Sequence, residues 1–393
     1  MPACHWKSLS ALFLVLTIAS VRSALAAEPN SLTPEELQAG WILLFDGESL
    51  FGWKAANKAN WAVVEGAISA SEGDEGLLCT TSQFGDYVLK VDFRAAKGAN
   101  SGIFLRTSPK PPDVTTKAYE LNIAPSENPF PTGSFVQRKK GTPVPESDDW
   151  QSYEVTAQGG HFQVLLNGQP VLDYTDPEPL GRGYIGLQFR SGKIEFRNVK
   201  LKPLSTECIF NGKDLTGWKI YPEMKSVFSV TPEGWLHVKD GRGQLESQGQ
   251  YGNFTLQLEC CVNGKALNSG VFFRCIPGEL MNGYESQIHN GFSEGDRNKP
   301  ADCGTGGIFR RVNARRVVAD DFQWFCMTIH AVDNRVSVWV NGHQVTDWTD
   351  TRKPDKNPRK GLRLEAGTLM LQGHDETTDI SFRNLRIAEV PKR

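Results

Sequence analysis

Hydrophobic and polar residues alternate along much of this chain in short runs, which is the pattern of half-buried β-strands. In the run from Phe254 to Cys260, every second side chain is apolar and the intervening ones are mostly polar. Asn-Gly pairs at Asn167-Gly168 and Asn341-Gly342 follow two such runs and are typical of tight hairpin turns. Only one short helix is predicted, at Ser31 to Ala39. Recurrent short strands with so little helix predict an all-β fold built from antiparallel β-sandwiches.

The pattern is duplicated. The stretch from Asn100 to Arg106 reads NSGIFLR, and the stretch from Asn268 to Arg274 reads NSGVFFR. Each is followed by a Tyr-Glu pair, at Tyr119-Glu120 in the first half and Tyr284-Glu285 in the second. Other landmarks also recur once and in the same order, so the repeating unit is a whole domain rather than a short solenoid repeat.

The length of the chain agrees with two domains. Its 393 residues exceed the roughly 250 to 300 residues at which a single hydrophobic core stops growing. The junction falls near Pro203 to Thr206, which is too short for a free linker, so the two sandwiches are expected to touch. The predicted organisation is a signal peptide at residues 1–26, a first sandwich at 27–204 and a second at 205–393.

The N-terminus has the parts of a secretory signal peptide. Lys7 precedes an apolar run from Leu9 to Ile18, and Ala24-Leu25-Ala26 supplies a small-x-small cleavage site. The alternative, a membrane-spanning anchor, needs about 20 apolar residues. We therefore expect a secreted or periplasmic protein without a membrane anchor after cleavage.

Charge and cysteine usage narrow the function classes. The 43 basic and 45 acidic residues give a net charge of −2, which argues against nucleic acid or an anionic membrane surface as a partner. Cysteines are numerous in the second half, yet there is no CxxC pair with partner histidines. This usage favours several buried unpaired thiols, with at most one disulfide, over a structural zinc site. The sequence does not predict the oligomeric state.

Strand periodicity places several chemically active side chains of the second half on one surface. Glu285, Gln287 and His289 lie at alternate positions of one predicted strand, and Gln372 and His374 do so on another. If these strands belong to one sheet, their polar sides form one candidate site. Its predicted members are Arg274, Glu285, Gln287, His289, Trp339, Gln372 and His374.

Trp339 is included because it alternates with Val338 and Val340. It should therefore face outward, where an aromatic plane suits stacking on a sugar ring.

Each of these residues also has a purely structural interpretation. Glu285 and Arg274 could form a cross-strand ion pair. His289 or His374 alone could be a hydrogen-bonded structural histidine. The basic run from Arg310 to Arg316 could be a solvated face.

The two copies differ at the candidate site. The first copy keeps three counterparts, namely Asn100, Arg106 and Glu120. It has Ala124 where the second copy has His289, and Arg190 where the second has His374. Both candidate proton carriers are missing, so the second sandwich is the better candidate for catalysis and the first is expected to be degenerate.

The ordered motifs resemble a known family. Phe-Asp-Gly, Asn-Ser-Gly-Val-Phe-x-Arg, Tyr-Glu-x-Gln-Ile, Trp…Asn-Gly, Leu-Gln and Phe-Arg-Asn together resemble the 3-keto-disaccharide hydrolase domain, in two tandem copies over nearly all of the mature chain. The family is similar in fold to concanavalin A-like lectins and glucanases. The resemblance therefore implies two concanavalin A-like jelly rolls that cleave glycosides with a ketone at C3.

A C3 ketone acidifies the proton on C2, so the C1 substituent can leave by elimination and water can add afterwards. We assign Glu285 as the base, His289 or His374 as the acid, and Arg274 with Gln372 as donors to the enolate oxygen. The candidate substrate-binding residues are Asn268, Gln287, Trp339, Gln372 and Arg310. A divalent cation held by Glu285, His289 or His374 could supply the same stabilisation.

Two other functions remain open at this point. Tandem sandwiches with an outward tryptophan also suit a non-catalytic, lectin-like carbohydrate-binding protein. A conventional glycosidase would need a second carboxylate beside Glu285, for which Asp302 and Asp375 are candidates.

Overall fold

A computed structural model of the chain describes residues 28–392. The predicted signal peptide at residues 1–26 lies outside the described residues. Among the described residues, no helix is both long and apolar enough to cross a lipid bilayer.

The first half begins with the predicted helix. Thr33 caps it, Pro34 occupies its first turn, and the Glu36 side chain completes a capping box. The elements of this half are α1 (Pro34–Gln38), β1 (Ile42–Leu43), β2 (Trp53–Ala55), β3 (Ala62–Val64), β4 (Ala67–Ala70), β5 (Gly76–Thr80), β6 (Tyr87–Ala95), β7 (Ser101–Thr107), α2 (Val114–Lys117), β8 (Tyr119–Ile123), β9 (Gln151–Gln158), β10 (His161–Leu166), β11 (Gln169–Thr175), β12 (Tyr184–Phe189) and β13 (Ile194–Pro203).

The second half repeats these strands in the same order. They are β14 (Glu207–Cys208), β15 (Trp218–Lys219), β16 (Val227–Val230), β17 (Leu236–Lys239), β18 (Gly243–Tyr251), β19 (Phe254–Val262), β20 (Ser269–Cys275), β21 (Tyr284–Ile288), β22 (Trp324–Val332), β23 (Arg335–Val340), β24 (His343–Thr349), β25 (Gly367–Gly373) and β26 (Asp379–Glu389).

Within residues 28–392, each half forms one eight-stranded and one five-stranded antiparallel sheet. The large sheets have the order β11-β10-β9-β6-β13-β4-β3 and β24-β23-β22-β19-β26-β17-β16, with β1 and β14 paired to β13 and β26. The small sheets have the order β2-β5-β12-β7-β8 and β15-β18-β25-β20-β21. Corresponding strands hold corresponding places, so the prediction of two tandem antiparallel β-sandwiches is confirmed.

Trp339 lies between the two halves instead of facing solvent. Its neighbours Val338 and Val340 belong to the core of the second sandwich, whereas Trp339 packs with the core residues of the first. Its side chain is 1% exposed, and its indole N–H donates a hydrogen bond to the backbone oxygen of Leu43 at 2.8 Å. The prediction that Trp339 faces outward is wrong, because the first half covers that face of β23.

Charged contacts also join the halves. Arg315 donates to Oδ2 of Asp46 at 2.6 Å, and Arg316 donates to Glu48 at 3.0 Å. Burial alone would raise the pKa of Asp46, but the hydrogen bonds from Arg315 and from nearby backbone N–H groups lower it below its usual value. The second half has Asn211 at the position of Asp46. Asp46 therefore has an arginine partner in the other half, and its position is occupied by an uncharged residue in the second half, as Asn211.

The described cysteines are all unpaired. Cys79, Cys260, Cys261, Cys275 and Cys303 are buried, which confirms the expectation of several buried free thiols.

Candidate active site

A cavity of about 610 Å³ lies on the outer face of the five-stranded sheet of the second half. Val271 and Leu371 point from this sheet into the core, while Phe272 and Gln372 point the other way into the cavity. Six residues predicted from the sequence line it, namely Asn268, Glu285, Gln287, Arg310, Gln372 and His374. The alternation of strand side chains is what brings most of them to one face.

Glu285 is the carboxylate with the most perturbed environment in this cavity. It lies half-buried on β21, diagonally opposite Gly270 of β20. Burial raises the pKa of Glu285 to about 7, with Asp302 adding to the rise and Arg359 and Arg310 opposing it. Within residues 28–392, no group donates a hydrogen bond to this carboxylate. A carboxylate with these properties can exchange a proton near neutral pH.

The repeated Asn-Ser-Gly motif has a geometric role beside Glu285. The hydroxyl of Ser269 donates to the backbone oxygen of Gln372 at 2.8 Å and so joins β20 to β25. A methyl group on Gly270 would lie 2.7 Å from Oε1 of Glu285, which is closer than two such atoms can approach. Ser269 therefore links β20 to the strand that bears Gln372, and the absence of a side chain at Gly270 leaves space for the Glu285 carboxylate.

Asn268, Gln287 and Asp302 form a polar cluster at one end of the cavity. The Gln287 amide nitrogen donates to Oδ2 of Asp302 at 3.1 Å and to Oδ1 of Asn268 at 3.3 Å. The Asn268 amide also donates to Asp302. Gln287 is 1% exposed, and its Oε1 atom has no hydrogen-bond partner among the described residues. A buried acceptor without a donor is suited to receive a sugar hydroxyl.

His374 and Gln372 come from the end of β25. The Nδ1 atom of His374 lies 2.8 Å from Oδ2 of Asp375, so a proton on Nδ1 is held by the carboxylate and Nε2 is left for other contacts. Gln372 is buried, and its Oε1 atom also has no partner in the described part of the chain. Asp375 therefore orients the imidazole, while the Gln372 amide donates to Sδ of Met281 and has a free acceptor.

Two loops that carry no periodic pattern complete the cavity. Asp302 stands on a loop in which Asp302, Cys303 and Gly304 all have positive φ angles. Arg359 stands on the loop between Asp350 and Gly367, which is longer than its counterpart in the first half, and it donates to the backbone oxygen of Met281. Sequence reasoning named Asp302 only as one of two candidate acids and missed Arg359.

Arg274 does not belong to the cavity. Its side chain is 1% exposed and donates to the backbone oxygens of Gly252 at 2.9 Å, Asp333 at 2.7 Å and Arg363 at 3.2 Å. The register of β20 shifts between Phe272 and Cys275, and Arg274 has a φ of 49°. This bulge turns the side chain away from the face that alternation predicts. The prediction that Arg274 is a catalytic donor is therefore wrong.

Its counterpart Arg106 supports this conclusion. Arg106 has the same positive φ, is equally buried and donates to the backbone oxygens of Gly85, Gly159 and Leu180. Both arginines join chain segments at the same end of each sandwich, so their role is structural.

His289 is also not among the residues that line the cavity. It is half-buried, and its Nδ1 accepts a hydrogen bond from the backbone N–H of Gly291 at 3.3 Å. The prediction that His289 shares a site with Glu285 is wrong, because β21 ends at Ile288 and alternation no longer fixes the following side chain. His374 is therefore the histidine available to this cavity.

The structure does not bring together the side chains suggested to hold a divalent cation. Across residues 28–392, no group of three His, Cys, Asp or Glu side chains is placed to hold one metal ion. Since His289 lies elsewhere, the trio of Glu285, His289 and His374 does not fit a cation, and no step below is routed through one.

The first half has a comparable cavity of about 730 Å³ on its own five-stranded sheet. Glu120 lines it and is 5% exposed, and burial raises the pKa of Glu120 to about 7. In place of His374 this cavity has Arg190, which lies 3.7 Å from Glu75. Asn100 is not among the residues that line it. The first copy keeps the buried acid but lacks a histidine beside it.

Comparison with known proteins agrees with the sequence resemblance. A 3-keto-disaccharide hydrolase from Bacteroides thetaiotaomicron is 31% identical over a region covering 47% of this chain and 85% of that protein. A Parabacteroides distasonis protein provisionally named as a glycosyl hydrolase aligns with 23% identity and a TM-score of 0.40, covering 45% of this chain and 100% of the other. A carbohydrate-binding module from Bacillus subtilis aligns with 17% identity and a TM-score of 0.32, covering 38% and 94% of the respective chains.

The model of the 3-keto-alpha-glucoside-1,2-lyase-like domain matches the chain twice, at residues 40–202 and 206–388. These segments hold nearly all of the strands described above. The chain therefore belongs to the family of 3-keto-alpha-glucoside-1,2-lyase-like domains and carries two copies of that domain in tandem.

Proposed function

We propose that the second sandwich cleaves 3-keto-glycosides by elimination across C1 and C2, followed by addition of water. Family membership and the name of the Bacteroides relative support a 3-keto-glycoside as substrate. The single observation that carries the chemistry is Glu285, whose pKa of about 7 in a cavity suits a base that works near neutral pH.

Each step has a residue in the cavity. Glu285 removes the proton from C2, and the electron pair passes to the C3 oxygen, which becomes an enolate. Arg359 takes the place of Arg274 as the donor that stabilises this oxygen. The unpartnered Oε1 of Gln372 accepts a hydroxyl of the substrate instead. The enolate then re-forms the ketone, the C1–O bond breaks, and His374 protonates the departing oxygen. Water then adds to the double bond: its hydroxyl bonds to C1 while its proton passes to His374, and Glu285 returns its proton to C2. The 3-keto sugar is released and both residues are restored.

The polar cluster of Asn268, Gln287 and Asp302 binds the sugar. The unpartnered Oε1 of Gln287 accepts a hydroxyl proton from the substrate, and the Asn268 and Asp302 side chains hold the Gln287 amide in that orientation. Arg310 lines the same cavity and completes the substrate contacts. The remaining member of the original substrate-binding set, Trp339, is buried elsewhere and has no part in binding.

The test is turnover of a 3-keto-disaccharide by Glu285→Gln. The variant keeps the side-chain size but cannot accept the C2 proton, so the rate should fall about 10²-fold or more. The matched control is Glu120→Gln, which changes the equivalent acid of the first copy and should leave turnover unchanged. Near-wild-type turnover by Glu285→Gln would overturn the proposal, and equal losses in both variants would show that both copies act.

The conventional glycosidase is the second candidate, because Glu285 and Asp302 line the same cavity. Asp302 is, however, engaged by the amides of Asn268 and Gln287. An ordinary disaccharide without the ketone distinguishes the two reactions: a two-carboxylate glycosidase cleaves it, and the proposed enzyme does not. A lectin-like protein would retain either sugar without releasing product.

The cellular setting belongs to the same proposal. The N-terminal pattern at Lys7, Leu9–Ile18 and Ala24–Ala26 supports export of the protein. The partner in this proposal is the carbohydrate substrate. Mass determination of the mature protein tests this: a chain that begins near Ala27 is expected, and an intact N-terminus in the exported fraction contradicts it.

A further inference from the structure

Arginines without acidic partners gather in the second-half cavity. Most described arginines lie within 4.0 Å of a carboxylate oxygen. The exceptions within residues 28–392 are Arg242, Arg274, Arg310, Arg311, Arg359 and Arg386. Arg274 is the buried structural residue described above, and Arg386 lies on β26. The other four line one cavity, so this cavity concentrates positive charge that the protein itself does not neutralise.

The two copies differ most clearly at Arg311. Its counterpart in the first half, Arg138, forms an ion pair with Asp176 at 2.9 Å. The acid equivalent to Asp176 is Asp350, but Arg352 of the long loop binds both of its oxygens, at 2.9 and 2.7 Å. Arg311 is left to donate only to backbone oxygens. Insertion of the loop has therefore released an arginine toward the cavity.

At the other three positions the second half has an arginine where the first half has no arginine. Arg310 corresponds to Gln137, and Arg242 corresponds to Glu75. Arg359 stands on the longer loop and has no counterpart in the first half. The first cavity has no arginine without an acidic partner, and its three lining cations, Lys58, Lys110 and Arg190, are matched by three carboxylates, Asp74, Glu75 and Glu120. The charge is thus a property of the second cavity and not of the fold.

The acids inside the second cavity cancel only part of this charge, since two carboxylates, Glu285 and Asp302, share the cavity with four arginines. Asp302 accepts hydrogen bonds from the amides of Asn268 and Gln287 and has no guanidinium within ion-pair distance among the described residues. Burial and the neighbouring Arg352 both lower the pKa of Arg311, as expected for a crowded cation. Like charges held together repel one another, and an anionic ligand would remove that cost.

We propose that the second cavity is specific for glycosides carrying an anionic group, a carboxylate or a sulfate ester, bound by Arg242, Arg310 and Arg311. The keto-sugar part of this substrate rests on the proposed function, whereas the preference for an anion rests on the arginines alone. Guanidinium groups bind planar oxyanions through two parallel N–H donors, so several of them around one cavity suit such a group.

The experiment measures binding to the full mature chain carrying Glu285→Gln, so that no turnover occurs. Three probes share one aglycone: phenyl β-glucoside, phenyl β-glucuronide and phenyl β-glucoside 6-sulfate. Calorimetric titration should give about tenfold tighter binding for the anionic probes, with the preference falling as salt rises. The carboxylate and sulfate arms identify which anion is favoured.

Substitution of both Arg242 and Arg311 by Gln, in the same Glu285→Gln chain, should remove most of the preference and leave affinity for the neutral probe unchanged. Arg190→Gln, in the first-copy cavity, is the matched control and should leave the preference intact. Equal affinity for all three probes, or a preference that survives the double substitution, would overturn the inference. These outcomes are independent of the proposed reaction, because the probes lack the ketone and turnover of a neutral 3-keto-disaccharide is assayed separately.

Discussion

Gly270 and Glu285 occupy adjoining space on neighbouring strands, such that a single methyl group on the glycine would lie 2.7 Å from the acid's Oε1. The first copy has a looser version of the arrangement: a methyl group on Gly102 would lie 3.1 Å from the backbone oxygen of Leu121 and 3.3 Å from Cγ of Glu120. The glycine in the repeated Asn-Ser-Gly motif is thus explained by the acid that follows it in the Tyr-Glu pair. Two landmarks far apart in the sequence form one unit in space.

Gly270→Ala should displace the Glu285 carboxylate without unfolding the protein. A displacement of about 1 Å at the reacting group can cost about 10²-fold in turnover. Turnover of a 3-keto-disaccharide, measured together with thermal unfolding, checks this expectation. Gly102→Ala is the control and should leave turnover intact. A fully active Gly270→Ala would show that the position of the carboxylate is unimportant.

Activity should depend on pH through Glu285. Because the base must be ionised and burial raises its pKa to about 7, kcat/KM should fall about tenfold per pH unit below about pH 7. A pH–rate profile measures this directly. A profile that stays flat down to pH 5 would rule out Glu285 as the base.

Stability should depend on pH in the opposite sense. The folded state raises the pKa of both Glu120 and Glu285 from 4.5 to about 7, so their contribution is fully present below about pH 4.5 and is lost as pH rises through about 7. The double substitution of both acids by Gln should therefore flatten the decline of Tm over this range. An unchanged decline would mean that other groups cause it.

Arg274→Ala should lower stability, not catalysis. The substitution leaves the backbone oxygens of Gly252, Asp333 and Arg363 without their donor, and we expect a loss of about 3 kcal/mol or more. Denaturant unfolding measures the loss, and Arg274→Lys should give an intermediate value if the alanine variant does not fold. Normal stability with lost turnover would restore Arg274 to a catalytic role.

Trp339 should likewise affect folding rather than sugar binding. Trp339→Ala empties a buried site between the halves and should cost about 3 to 5 kcal/mol. Trp339→Phe keeps an aromatic ring but loses the hydrogen bond to Leu43, which should lower the free energy of unfolding by about 1 kcal/mol. Affinity for a glycoside should be unchanged in the phenylalanine variant, and weaker affinity at normal stability would contradict the burial of this residue.

The alternation of side chains predicted much of this molecule correctly. It placed Glu285 and Gln287 on one face, and it separated Trp339 from Val338 and Val340. It could not reveal what covers an outward face, because the covering surface belongs to the other half of the chain. Trp339 was therefore assigned to the correct side of its strand and to the wrong environment.

Other errors come from breaks in strand regularity. Alternation holds only while the pairing register is constant, and the bulge between Phe272 and Cys275 reverses the expected direction of Arg274. Asp302 and Arg359 stand on loops, where no period relates sequence position to direction. Their contribution depends on loop conformation, which single-sequence reasoning cannot supply.

The contact between Asp46 and Arg315 has a consequence for how the molecule behaves on dilution. The loop anchored by Arg315 also carries Arg310 and Arg311 into the cavity, so the first half holds part of the second half's site in place. Since both halves lie on one chain, this support is a unimolecular equilibrium and does not follow mass action. Two separate copies would dissociate at low concentration and release that loop, whereas in the tandem protein the contact that holds the loop does not depend on protein concentration.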